Sequence, residues 1–294
     1  MNFREFINVI KKQIEEQLPK DIAVRIHSTH ENNDTEKVGL IFTPKDETLS
    51  QTIYLEEYYN SFQKEENLTA IVNSILYLYE NIRVPNISHM KSLIEYANVK
   101  DKIVYRLVNA KKNQDLLNAV PHRQFHDLAI IYYILLEANN EGSATILIRN
   151  SQMQEWGINV QELHKVAHNN TKQDLKIELK NMNEMMWELM GDDTQYITED
   201  PMHVLTNHMR IYGATSLLYD GVFEMIARKM KGSYYVLPSS IHEIIVLPES
   251  AGVSSAQLKD MVIAINKSQV KQEEMLSNNV YYCDVLEQCE LKIV

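Results

Sequence analysis

The segment Pro238-Ser-Ser-Ile-His-Glu243 brings hydroxyls, an imidazole and a carboxylate together in six residues. A serine beside a histidine supplies a nucleophile and its base, and a carboxylate can orient the ring. Ser239 or Ser240 with His242 and Glu243 is therefore a candidate hydrolase site. Extended backbone alternates its side chains, which predicts Ser240 and His242 on one face and Ser239, Ile241 and Glu243 on the other. His208, in the neighbouring strand region, is a further candidate. The same residues also have a structural reading, because serines after a proline are ordinary turn and capping residues and a histidine in a connection commonly bonds main chain.

His122 and His126 are four residues apart, as are His164 and His168. On a helix each pair would share a face, the geometry by which two imidazoles reach one metal. Arg123 and Lys165 follow the first histidine of each pair, where a zinc protease needs glutamate and where a cation repels a metal, so helix-face histidines are expected and no metal. His126-Asp127 with His89 upstream follows the order of metal phosphohydrolase ligands, yet the run after Asp127 is strand-like where that pattern needs helices. Ser88-His-Met-Lys91 fits S-x-x-K without its partner motifs and reads as a helix start. Asp192-Asp193 with Glu199-Asp-Pro201 lacks the carboxylate spacing of a calcium loop. Met182, Met185, Met186 and Met190 surround Trp187 at helical spacing, which suits a core or an adaptable binding surface. Met186 and Trp187 are thus candidate binding residues, and self-association through this helix is compatible with any activity.

Glycine is sparse, and no two of the eight lie closer than eight residues. The phosphate loop G-x-x-x-x-G-K-[ST], the dinucleotide turn G-x-G-x-x-G, the nucleophile elbow G-x-S-x-G and the kinase glycine loop all need closer glycines, so these classes drop out and no cofactor is expected. The 294 residues carry 29 Lys and Arg against 40 Asp and Glu, a net charge of −11 without any block of cations. Neither nucleic acid nor a membrane is an expected partner, which leaves a small molecule or a protein. Cys283 and Cys289 form neither a disulfide framework nor a four-ligand zinc spacing. The first residues lack the basic start and apolar run of a leader, and the longest apolar run, Leu128 to Leu136, is about half a membrane span. A cytoplasmic location is expected.

An apolar content of 45% is that of a folded chain, and the length suits one large domain or two ordinary ones. Apolar spacing predicts an amphipathic helix from Phe3 to Leu18, a hairpin of Ile22–Ile26 with Val38–Phe42, a third strand at Thr52–Leu55, and one long helix from Tyr58 to Ile82 ending at Val84-Pro85. A short helix near Ser88 to Ala97 and a strand at Lys102–Asn109 follow. Asp127–Glu137 pairs with Thr145–Ile148 through the turn Asn139-Asn-Glu-Gly142. Leu128 to Leu136 is continuously apolar, so a strand buried on both faces competes with a buried helix. Helices at Ser151–Trp156, Val160–Asn169 and Glu184–Met190 enclose a strand at Leu175–Leu179. The last third reads β-β-α-β-β-α-β, with strands at Val204–Thr206, Thr215–Leu218, Tyr234–Leu237, Glu243–Leu247 and near Tyr281, and helices at Gly221–Met230 and Ser254–Asn266. The fold class is α+β, with mainly antiparallel sheets and helices packed on one face. The Pro85 break and the polar stretch Asn98 to Lys102 divide the chain into residues 1–100 and 101–294.

Val204-Leu-Thr-Asn207, Tyr212-Gly-Ala214, Leu218-Tyr-Asp-Gly221 and the stretch from Tyr235 to Pro248 resemble a domain-of-unknown-function family of low-GC Gram-positive bacteria. Ile148-Arg-Asn150, Trp156-Gly157 and Glu162-Leu163 share the resemblance, which covers roughly residues 100–285; the segment 285–294 departs from it. The resemblance implies a bacterial cytosolic protein and carries no activity or catalytic residues with it. The β-β-α-β-β-α-β order is similar to small sensor sandwiches that hold a ligand or partner on one sheet face, a fold-level analogy that favours a ligand- or protein-binding or regulatory module. The alternative is the Ser240/His242/Glu243 hydrolase.

Overall fold

The computed structural model describes residues 1–30, 32–44, 51–81, 95–139, 142–190, 200–287 and 289–294. Val84-Pro85, Ser88-His-Met-Lys91, Asp192-Asp193 and Glu199 lie outside them, as do the two central residues of the Asn139–Gly142 turn. The chain divides into two compact units, Met1–Ser92 and Leu93–Val294.

In the first unit α1 (Phe3–Gln17) begins where Asn2 accepts from the Glu5 N–H and Glu5 answers on the Asn2 N–H. This reciprocal cap leaves Phe6, Ile7, Ile10 and Ile14 on one buried face. Strands β1 (Ile22–His30), β2 (Glu36–Pro44) and β3 (Gln51–Tyr54) form an antiparallel sheet in that order. Val24, Leu40, Phe42 and Ile53 from this sheet share a core with α1. The single helix expected from Tyr58 onward is two, α2 (Glu56–Glu65) and α3 (Leu68–Asn81). Glu66 turns left-handed at φ 50°, its N–H closes on the Phe62 carbonyl, and the Asn67 side chain caps the new helix at the Ala70 N–H, 3.0 Å away. The five polar residues Gln63 to Asn67 interrupt the apolar spacing where the break falls, between Phe62 and Leu68.

The second unit contains α4 (Tyr96–Val99), β4 (Ile103–Asn109), α5 (Gln114–Ala119), β5 (His122–Phe125), β6 (Leu128–Asn139), β7 (Gly142–Leu147), α6 (Asn150–Glu155) and α7 (Val160–Asp174). There follow β8 (Ile177–Asn181), α8 (Met182–Met190), β9 (His203–Asn207), α9 (Val222–Met230), β10 (Tyr234–Leu237), β11 (Ile244–Pro248), α10 (Ser255–Ser268), β12 (Tyr281–Cys283) and β13 (Leu291–Ile293). Among the described residues all strand pairings are antiparallel. Six strands run β13-β12-β10-β11-β9-β8; in the other sheet β6 is central, with β4 on one edge and β5 and β7 along the other. Helices and antiparallel sheets together make the architecture α+β.

One face of β6, with Ile130, Tyr132 and Ile134, joins Tyr105 and Leu107 of β4, α7, α9 and the Tyr234, Val236, Ile244 and Val246 face of the six-stranded sheet in the largest core. Its other face, with Ala129, Ile131 and Tyr133, packs with Val104, Val108 and Leu117 of α5. A strand buried on both sides needs no polar alternation, which accounts for the unbroken apolar run and selects the strand over the helix. Leu237 and Leu247, on the remaining face of the six-stranded sheet, meet Leu258 and Val262 of α10.

Two further expectations need correction. Thr215–Leu218 is not a strand but part of a 3-10 turn, Gly213–Leu218, so the second place in the C-terminal series is a turn. Thr215 Oγ1 donates to the Tyr212 carbonyl at 2.7 Å and Ser216 Oγ to that of Thr206 at 3.0 Å, local side-chain bonds that compete with a strand ladder. Gly213 lies so close to Thr206 and the His242 carbonyl that a Cβ would collide with both. His122 and His126 do not share a helix face, because His122 is in β5 and His126 turns left-handed at φ 52°. The tail beyond residue 284 supplies β13, whose Leu291 is buried.

Asp127, at the β5–β6 turn, accepts from Ser277 Oγ at 2.6 Å, Asn279 Nδ2 at 2.9 Å and the Tyr281 hydroxyl. Burial and this carboxylate push the Tyr281 phenol well above its ordinary value, so it stays a donor. The residue that a metal site would use as a ligand is thus a staple between the two sheets. Asp127→Ala strands three donors, two of them on buried residues, and should cost about 3 kcal/mol. Urea unfolding checks this; a loss under about 0.5 kcal/mol would contradict the staple.

Candidate functional site

The Pro238–Glu243 segment is not extended in the manner that alternation requires. Main-chain bonds from Ile241 to Glu274, Leu276 to Ser239 and Ser277 to Pro238 fix it as a bent connection. Ser240 Oγ accepts from the main-chain N–H of His242 at 3.0 Å rather than facing its ring. The His242 ring stacks on Tyr212 at 5.8 Å and 15°, with Nδ1 3.4 Å from the Tyr212 N–H. Tyr212 and Tyr133 in turn flank the Arg106 guanidinium at 4.9 and 4.2 Å, so His242 ends an aromatic–guanidinium ladder. Ser239 is buried and Glu243 is exposed. These four residues therefore do not form a Ser–His–carboxylate relay. His208 is exposed just past β9; Met185 is buried, Met186 is exposed and Trp187 is half-buried on α8.

The structure gathers polar side chains elsewhere, around His164 and His168. Tyr105 and Tyr132 are cross-strand partners in β4 and β6. Such partners stand about 5 Å apart, close to the separation of positions i and i+4 on a helix, so two tyrosines can serve two histidines one turn apart. The Tyr105 hydroxyl lies 3.1 Å from His168 Nδ1, and the Tyr132 hydroxyl 3.1 Å from His164 Nδ1. The Tyr105 ring also stacks on both imidazoles, at 5.7 and 6.1 Å.

Helix α7 is fixed on this sheet by its own bonds. Thr171 Oγ1 takes the outward N–H of Tyr105 at 3.1 Å, and Asn170 Nδ2 donates to the carbonyls of Lys100 and Ile103. The free edge of β4 is thereby closed by a helix. At the C-terminal end of α7 the buried Tyr219 hydroxyl donates to the carbonyls of Thr171 and Leu175, at 3.1 and 2.7 Å. Asp220, the next residue, meets His168 Nε2 and Lys172 Nζ, each at 3.1 Å. Gly221 follows at φ 75°, a conformation that a side chain disfavours.

These contacts assign the ring protons. Burial holds the phenols of Tyr105 and Tyr132 above their ordinary values, so each keeps its one proton and donates it to the facing Nδ1. Both imidazoles then carry their proton on Nε2. That of His168 goes to Asp220, whose carboxyl is held below its usual range by His168 and then Lys172. His164 Nε2–H has no hydrogen-bond partner among the described residues. It lines a cleft of about 450 Å³ between β5 and α7, together with Arg123, Phe125, Lys165, His168 and Asp220. Burial first, then the Arg123 charge, lower His164 to about 4. Among the described residues no group of three or more His, Cys, Asp or Glu is placed to hold a metal.

The histidine spacing is visible in the sequence, whereas Tyr105, Tyr132 and Asp220 are separated from it by tens of residues. Strand register is the signal that would have found the tyrosines.

Because His164 is neutral when folded and titrates near 6.5 when unfolded, the unfolded chain binds more protons between about pH 4 and 6.5. Stability from this group is present above that window and is lost as pH falls through it. His164→Gln should flatten the loss by about 1 kcal/mol, after allowance for solvent screening of a half-exposed ring. Urea unfolding at several pH values checks this, and parallel curves would contradict it.

No curated protein and no solved structure matches the chain. The signature of DUF5688, a family of unknown function, matches residues 3–284, nearly the whole length. The chain therefore belongs to the DUF5688 family.

Proposed function

We propose that this protein is a ligand-binding module and that the cleft between β5 and α7 is where it takes a small molecule. The observation that carries this reading is the double tyrosine–histidine clamp. Two buried hydroxyls fix two imidazoles on one helix face, and His164, whose Nε2 has no hydrogen-bond partner among the described residues, lines a concavity. Preformed clefts with apolar walls and a few fixed polar groups are the usual form of small-molecule sites. Phe125, Ile130 and Leu218 supply the apolar wall here. The hydrolase reading draws no support from Ser240, whose hydroxyl is engaged by main chain.

A bulky residue in the cleft should exclude the ligand without touching the clamp. Asn169 is exposed on α7 and lines the cleft, which makes Asn169→Trp suitable. Native mass spectrometry of gently purified full-length chain should show a retained small molecule on the parent and none on the variant. A bare parent whose melting temperature stays unmoved by a panel of acidic, basic and neutral metabolites would overturn the reading, as would a ligand that Asn169→Trp retains.

A further inference from the structure

The cleft presents two cations that no carboxylate of the described residues answers. Lys172 is matched by Asp220, and Lys180 by Glu178 and Glu188. Arg123 and Lys165 make no ion pair among the described residues, although the chain carries 40 carboxylates and a net charge of −11. Both line the same concavity as His164. The one carboxylate in the lining, Asp220, is already held by His168 and Lys172, so it leaves the excess charge of the cleft at two positive.

We propose that the ligand of this cleft is a small phosphate monoester, with its dianionic group held by Arg123, Lys165 and His164 Nε2–H and its organic part against Phe125 and Leu218. The inference rests on the binding reading above and narrows it to one class. A phosphate monoester carries close to two negative charges at neutral pH and three acceptor oxygens. Those numbers match two unpaired cations and three side-chain donors from β5 and α7. A carboxylate brings one charge and two coplanar oxygens, which a single guanidinium already satisfies. Burial and the Arg123 charge also keep the His164 ring neutral, so it contributes a hydrogen-bond donor rather than a third charge.

Isothermal titration of the full-length chain at pH 7.5 with phenyl phosphate, inorganic phosphate, benzoate and benzyl alcohol tests this. Phenyl phosphate should bind, benzoate at least about tenfold more weakly, and Arg123→Gln and Lys165→Gln should each weaken phenyl phosphate about tenfold. Both side chains are exposed, so the variants should melt with the parent, which a thermal scan confirms. Benzoate binding as tightly as phenyl phosphate overturns the phosphate assignment and leaves the binding reading in place. Benzyl alcohol binding alone overturns any anionic ligand. Phenyl phosphate binding that neither substitution weakens overturns the location. Failure of phenyl phosphate and inorganic phosphate alike at millimolar concentration overturns the proposal, while the mass-spectrometric comparison separately decides whether the cleft binds anything.

Discussion

The second unit depends on how α7 is seated across β4 and β6. A helix and a sheet have different repeats, and most such contacts are apolar and tolerate sliding. Here four polar contacts fix the position: two phenols on two imidazoles, Thr171 on the Tyr105 N–H, and Asn170 on the Ile103 carbonyl. Shifting β4 by one residue against β6 would turn Tyr105 to the opposite face and leave His168 without its donor. Strand register, helix rotation and cleft shape are therefore one constraint.

The same seating links the two sheets to the cleft. Tyr219 binds the last carbonyls of α7, and the turn that carries it begins at Gly213, tight against Thr206 of β9. Asp220 can reach His168 only because that turn is held from the six-stranded sheet. Among the described residues no helix is long and apolar enough to cross a membrane.

Elements with strong local signals were legible in the sequence. The three- and four-residue apolar spacing from Phe3 to Leu18 announces α1, and the Ile22–Phe42 alternation announces the hairpin. Where local chemistry competed with pattern, the pattern misled: Glu66 breaks the helix inside the polar run Gln63 to Asn67, which the apolar positions on either side bridge in a longer reading, and Thr215 and Ser216 turn back on nearby carbonyls despite a strand-like composition. The site was half legible. His164 and His168 stand four apart in plain view, but their partners come from β4, β6 and the turn before α9, and nothing local ties those residues together. His242 drew notice through its neighbours in sequence, whereas in the fold its neighbour is Tyr212, 30 residues earlier.

The burial of β6 on both faces and along both edges has a cost outside the native state. A continuous Leu128–Leu136 run without charge or proline is the kind of segment that stacks with copies of itself when exposed. In the folded chain β4 and β7 and the short β5, all close in sequence, cover it. Pairing partners that lie so near shorten the time for which a newly made chain leaves the run open. The sequence order of the four-stranded sheet thus protects the chain from aggregation during folding as well as shaping one wall of the cleft.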